Sequence, residues 1–191
     1  MVRRALLSAA ALSLVLAVPA LAGPGQGQGH PCKMKDVAGS YTRPSQVDIG
    51  NGPQDYLYQL NLAADGTAYQ EWTGYPELMN TLGTGTPNIG SWTCQDGQVI
   101  LVLITGNFLP VETQDPFTGD PEVDITLSSH SRVTYRFDVA DDDTLVRNAV
   151  VIRSYSPTED PTDPNAGTLG AVNTNQVTYT RLVPTDADLN P

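Results

Sequence analysis

The stretch Tyr56-Leu57-Tyr58-Gln59-Leu60-Asn61-Leu62, followed by Ala64-Asp65-Gly66 and a return along Thr67 to Thr73, decides the fold class. Tyr56, Tyr58, Leu60 and Leu62 fall on one side of an extended chain, and Leu57, Gln59 and Asn61 on the other. That period of two belongs to a strand and not to a helix. Asp65-Gly66 supplies a tight turn, so residues 55 to 73 predict a β-hairpin. The same pattern recurs outward from it. Gly90 to Cys94 runs into Asp96-Gly97 and returns along Val99 to Ile104, an unbroken apolar run that predicts a strand covered on both faces or lapped by a loop. Arg132 to Val139 alternates, with Val133, Tyr135, Phe137 and Val139 inward and Arg132, Thr134, Arg136 and Asp138 outward. Ala140 to Asp143 then turns the chain into Leu145 to Tyr155. Val37 to Thr42 opens the series and Gln176 to Val183 closes it. About eight strands, with no amphipathic helix of useful length, predict an all-β fold: an antiparallel meander closing into a small barrel, with a β-sandwich as the alternative.

Three segments resist strand assignment. Residues 74 to 88, 105 to 124 and 156 to 175 are rich in Pro, Gly, Thr and acidic side chains, and loops of this length are functional or disordered. The first two carry Tyr75, Leu78, Met79, Phe108, Leu109 and Phe117, apolar groups suited to capping one barrel end or to a protein contact.

The chain opens with Arg3 and Arg4, an apolar run from Ala5 to Leu16, and Ala20-Leu21-Ala22 ahead of Gly23. This layout predicts a signal peptide over 1 to 22, cleaved after Ala22, and a secreted or periplasmic product with no membrane anchor. Residues 23 to 31 have no large apolar side chain to bury and read as a flexible Gly/Gln-rich arm. Residues 32 to 183 are long enough for a single barrel domain, and 184 to 191 form an acidic tail. The net charge is −11, and loss of Arg3 and Arg4 makes it more negative still. Nucleic acid and anionic membranes are therefore disfavoured partners. The two cysteines, Cys32 and Cys94, are expected to pair in an oxidising compartment.

Taken in order, Gly39-Ser40-Tyr41, Leu60-x-Leu62 with Asp65-Gly66-Thr67, and Gly90-Ser91-Trp92 followed by Asp96-Gly97 and an apolar strand resemble the lipocalin-like (calycin-type) bacterial extracytoplasmic barrels. The similarity, over roughly residues 36 to 104, is to the amino-terminal barrel of the copper-resistance lipoproteins. The chain lacks that family's Cys-x-x-Cys after the first strand and its lipid-bearing cysteine, so the resemblance implies a fold and not copper sensing. It also implies that an arginine on the last strand packs across the aromatic of the first, a place Arg181 and Tyr41 fill here.

Linear chemistry is sparse. No nucleophile elbow, His-Glu-x-x-His or phosphate-cradling glycine loop is present, and no catalytic residue, metal site or cofactor is assigned. His30 and His130 have no metal spacing between them, and His30, Cys32 and Met34 form a soft-metal cluster only if Cys32 is free. Asp160, Asp163 and Asn165 ahead of Gly167 have the oxygen-rich character of a calcium loop without its terminal Glu, and Pro161 and Pro164 interrupt it. Glu71, on the face of Tyr69, is the acid weighed as a pocket group against a solvent-facing one. A small barrel holds one ligand among inward aromatic side chains, here Tyr56, Tyr58, Trp92, Tyr135, Phe137 and Tyr179. The expected function is non-catalytic binding of a small apolar ligand or a protein surface. The alternatives are a barrel-type cyclase or isomerase, and an inhibitor or adhesion protein acting through its long loops.

Overall fold

A computed structural model of the chain describes residues 30–48, 52–73, 84–85, 87–115 and 117–183. The segment expected to be a signal peptide, the arm up to residue 29, most of the 74 to 88 loop and the acidic tail lie outside these residues. The described chain is almost wholly extended: α1 (Met34–Val37), β1 (Gly39–Asp48), β2 (Pro53–Leu62), β3 (Thr67–Thr73), β4 (Thr84–Gly85), β5 (Asn88–Gln95), β6 (Gln98–Gln114), β7 (Pro121–Asp141), β8 (Thr144–Tyr155), β9 (Thr168–Asn173) and β10 (Val177–Arg181). Neighbouring strands pair antiparallel in the order β10-β1-β2-β3-β5-β6-β7-β8-β9, and β10 also pairs β8. The β10 pairings on both sides close an eight-stranded meander barrel, and the sandwich alternative falls.

The predicted hairpins form where period-two segments meet Asp-Gly turns. Leu60 faces Tyr41 and Gln70, and Trp92 faces Leu101. Alternate residues turn inward: Leu60, Leu62, Val99, Leu101, Leu103, Phe137 and Leu145 are all buried in one core. Full burial of each such side chain contributes roughly 2 kcal/mol. The apolar run of β6 is covered only on its inner face. Ile100, Val102 and Ile104 remain half-buried outside, beside their cross-strand neighbours Arg136, Thr134 and Arg132.

Three expectations need correction. The opening strand starts at Gly39, because Met34–Val37 forms one helical turn held by the Val37 and Ala38 amides donating to the Lys33 and Met34 carbonyls. That turn drives Val37 into the barrel end as a plug. Residues 105 to 124 are mostly strand: β6 and β7 continue as a two-stranded hairpin whose tip is Asp115 to Asp120. Pro110 lies beyond Phe108, the last described partner of β4, where β6 has no second partner among the described residues and tolerates a missing N–H. Part of 156 to 175 is strand as well, since β9 pairs the second half of β8. The remainder is an ordered loop, tied down by Arg132 donating to the carbonyls of Pro161 and Thr162 and by the Tyr155 hydroxyl donating to that of Asp163.

One end of the barrel is closed tightly. Arg181 stacks 5.3 Å from the Tyr41 ring centroid and donates to the Tyr41 hydroxyl (2.8 Å) and the Asp36 carbonyl (2.6 Å), and Tyr41 donates to the Val37 carbonyl (2.6 Å). The arrangement expected of Arg181 and Tyr41 is present. Trp92 donates from Nε1 to the Ala63 carbonyl (2.8 Å) at the same end. Cys32 and Cys94 are joined by a disulfide that ties the segment before α1 to β5. Among the described residues no helix is long and apolar enough to cross a membrane.

Candidate ligand site in the barrel mouth

The opposite end is built differently. β9 and β10 run one after the other along β8, with a break at residues 174 to 176 beside a bulge in β8. Only β10 reaches β1, and the ladder between them has two described pairs, Tyr41 with Arg181 and Thr42 with Thr180. Past that point β1 has no described partner on this side, and the barrel wall opens as a seam. Pro44 lies here, where the absence of an N–H breaks no ladder bond.

Arg43 stands at the start of the seam. It is directly across from Tyr58 in the β1–β2 register, so its guanidinium falls over the Tyr58 ring, 4.0 Å from the centroid and 5.4 Å from that of Tyr179. Tyr58 packs edge-on against Tyr56 (5.1 Å) and Trp72 (5.4 Å). Phe137 packs between Tyr135 (5.8 Å) and Tyr179 (5.4 Å). Arg43 thus joins two aromatic groups into one lining. Of the six side chains expected to line a pocket, five come together in this way. Trp92 does not, because its position on β5 places it at the plugged end, 3 % exposed and buried in the core.

Gln70 is set deep in the same lining at 1 % exposure. Its Oε1 accepts from the Tyr135 hydroxyl (3.2 Å) and from Asn88 Nδ2 (3.5 Å), which turns Nε2 away from both. Gln70 also acts on the neighbouring Tyr179 hydroxyl, and its Nε2 has no partner in full hydrogen-bond geometry. The Nε atoms of Arg43 and Arg147 are likewise buried without an acceptor. Arg147 Nη2 makes a long contact with the Asn175 carbonyl (3.4 Å) at the β9–β10 break. Neither arginine has an ion-pair partner among the described residues.

The phenols feel this environment. Burial pushes Tyr58, Tyr135 and Tyr179 up from the ordinary tyrosine range, and the arginines, which pull the other way, do not offset it. Burial raises Tyr41 too, against the opposing effect of Arg181. A folded-state pKa above the unfolded value of about 10 leaves stability intact below that pH and removes it as pH rises further, because the unfolded chain releases protons that the barrel retains. Alkaline titration should therefore show these four phenols ionising only as near-ultraviolet circular dichroism collapses. A phenolate signal for all tyrosines at the ordinary midpoint in folded protein would contradict their burial.

The remaining candidates fall elsewhere. Glu71 lies on the outer face and accepts from the Tyr69 hydroxyl (2.8 Å), so it is no pocket acid. In the 156 to 167 loop, Asp160 accepts from the Thr162 amide and hydroxyl and Asp163 from the Asn165 amide, closing Asx turns. His30 lies 3.9 Å from Asp142 at the plugged end, beside a cleft of about 120 Å³. That is small against the roughly 300 Å³ at which ligand pockets begin. Tyr75, Leu78 and Met79 lie outside the described residues. Phe117, at the hairpin tip, is 96 % exposed and covers nothing.

No protein-family model, curated protein or solved structure matches the chain. Its class therefore rests on architecture: a closed eight-stranded antiparallel barrel, plugged at one end, whose β1–β10 ladder has two pairs among the described residues.

Proposed function

We propose that this chain is a lipocalin-like, extracytoplasmic binding protein that takes a small ligand in the barrel mouth and performs no chemistry on it. The observation that carries the reading is a buried lining whose donors have no acceptors. Gln70 Nε2 and the Nε groups of Arg43 and Arg147 lie beside Tyr58, Tyr135 and Tyr179, where these phenols pack on the barrel core. A buried donor without a partner costs about 1–3 kcal/mol. A fourth such donor, Arg181 Nε, lies at the plugged end; the other three share Tyr179 as a neighbour, and a guest there would supply their acceptors. The disulfide supports an oxidising compartment, in keeping with the signal peptide expected over 1 to 22.

An enzyme of the cyclase or isomerase sort has less support, since Glu71 faces outward and accepts from Tyr69. The adhesion reading depends on the hairpin, whose exposed apolar groups are split between its two faces. Leu109 and Val111 lie opposite Thr126 and Asp124, whereas Ile125 and Val123 lie opposite Pro110 and Glu112. Phe108 pairs with Leu127 on that second face, which is apolar but for Glu112, and this keeps the loop-mediated contact as a second reading.

Trp72 is a built-in reporter, 43 % exposed against Tyr56 and Tyr58, while Trp92 is shielded. Native mass spectrometry of the chain recovered from its own host is expected to show a retained small-molecule mass. Stripping that molecule should change the emission of Trp72 in a Trp92→Phe variant. A bare chain mass, together with Trp72 emission unmoved by extracts of the host, would overturn the reading.

A further inference from the structure

We infer that the ligand of the barrel mouth is a small amphiphile with an oxyanion head and a flat apolar body, the head held by Arg43, Arg147 and Gln70 and the body by Tyr58, Trp72 and Tyr179. This inference rests on the binding reading above and narrows it.

The argument starts from charge balance. The chain as a whole is strongly acidic, with 21 Asp and Glu against 10 Lys and Arg. Yet the charges acting on Tyr135 and Tyr179 inside the mouth are those of Arg43 and Arg147. In so acidic a protein two arginines directed at one interior would be expected to meet carboxylates. Their only described partners are the faces of Tyr58 and Tyr179 and one long contact to the Asn175 carbonyl. A guanidinium left with its Nε–H buried and unpaired is matched by an oxyanion, whose lone pairs accept from planar N–H groups.

Gln70 adds an independent constraint. Its Oε1 is already occupied by Tyr135 and Asn88, so the amide presents only a donor to the interior. All three free groups are therefore donors, and the complementary guest is an acceptor. A cationic guest would meet two like charges, and a neutral hydrocarbon would leave the donors unpaired. The aromatic faces supply the second half of the specificity. Tyr58, Trp72 and Tyr179 offer flat, half-polar surface suited to a planar body. The acidic exterior selects size: it repels polyanions over about a Debye length, roughly 8 Å at physiological salt, whereas a small monoanion must only pass the seam.

The test uses two fluorescent probes with one ring system, 8-anilinonaphthalene-1-sulfonate and N-phenyl-1-naphthylamine, which differ by the sulfonate alone. Titration of the full mature chain is expected to show the sulfonate binding at least about tenfold more tightly than the neutral probe, with the ratio shrinking as salt is added. In Arg43→Gln/Arg147→Gln the ratio should fall to about one, the sulfonate losing at least about tenfold more affinity than the neutral probe. Should the double variant not fold, the single variants Arg147→Gln and Gln70→Leu are each expected to lower the ratio severalfold. Equal affinities in the unaltered chain overturn the oxyanion inference and leave the binding reading standing. A sulfonate preference that survives the arginine variants also overturns it, by placing the anion elsewhere. Binding of neither probe removes both readings.

Discussion

Gly90→Ala is expected to destabilise the barrel by about 3 kcal/mol or more, the upper range for forcing an atom into a packed interior. A Cβ built at Gly90 would lie 1.8 Å from the Val102 carbonyl oxygen and 2.8 Å from its carbon. Both are backbone atoms of β6, so no side-chain rotation relieves the clash. The close approach arises where β5 curls onto β6, with Gly90 in register with Leu103 between Ile89 and Ser91. Glycine in a strand marks such a bend. The control is Gly97→Ala, at a φ of +79° in the β5–β6 turn with open space around it. There the cost is conformational only, about 1 kcal/mol. Urea unfolding of both variants separates the two effects. If Gly90→Ala were no worse than Gly97→Ala, the β5–β6 register described here would be incorrect.

Removing the Cys32–Cys94 bond, by a double serine variant or by reduction, is expected to lower stability by about 4 kcal/mol. The bond closes a loop with a sequence separation of 62, and the loss of that constraint on the unfolded chain sets the magnitude. Domains of this size are typically stable by about 5–15 kcal/mol, so the bond supplies a large share of the total. The structural consequence is local. Cys32 anchors the segment leading into α1, and without it Val37 is free to leave the barrel end, exposing Tyr41 and Val139. Reduced and oxidised protein should therefore differ in urea midpoint, with hydrogen exchange rising first at residues 34 to 41. Coincident midpoints would show that the plug holds by packing alone.

Much of the architecture was legible because it is written in local alternation. The β2–β3 and β5–β6 turns carry Asp-Gly, and the flanking residues repeat with period two, so those hairpins follow from sequence almost residue by residue. Pairing of Cys32 with Cys94 follows from there being two cysteines. The missed strands fail for an identifiable reason. Pro44 and Pro110 lie in strands, each where its strand has no second partner among the described residues, and edge position is a property of the whole sheet. Ending the first strand at Thr42 removed Arg43 from consideration, although it continues the inward series of Tyr41. Gln70 and Trp72 continue the inward series of Ala68 and were passed over because polar and aromatic groups near a strand end read equally well as solvent-facing.

Local pattern was enough for the Asp-Gly hairpins, for the apolar faces of their strands, and for the two thiols available to pair. These depend on a residue and its near neighbours, and near neighbours are what a linear pattern records. Long-range pairing decides that β10 joins both β1 and β8, that the β1–β10 ladder has two described pairs, and that Arg43, Gln70 and Arg147 from three separate strands lie beside Tyr179, with no ion pair for either arginine among the described residues. Those facts depend on register summed around a closed ring. A bulge in β8 or a break between β9 and β10 shifts which side chains meet across the interior, and no local period carries that information.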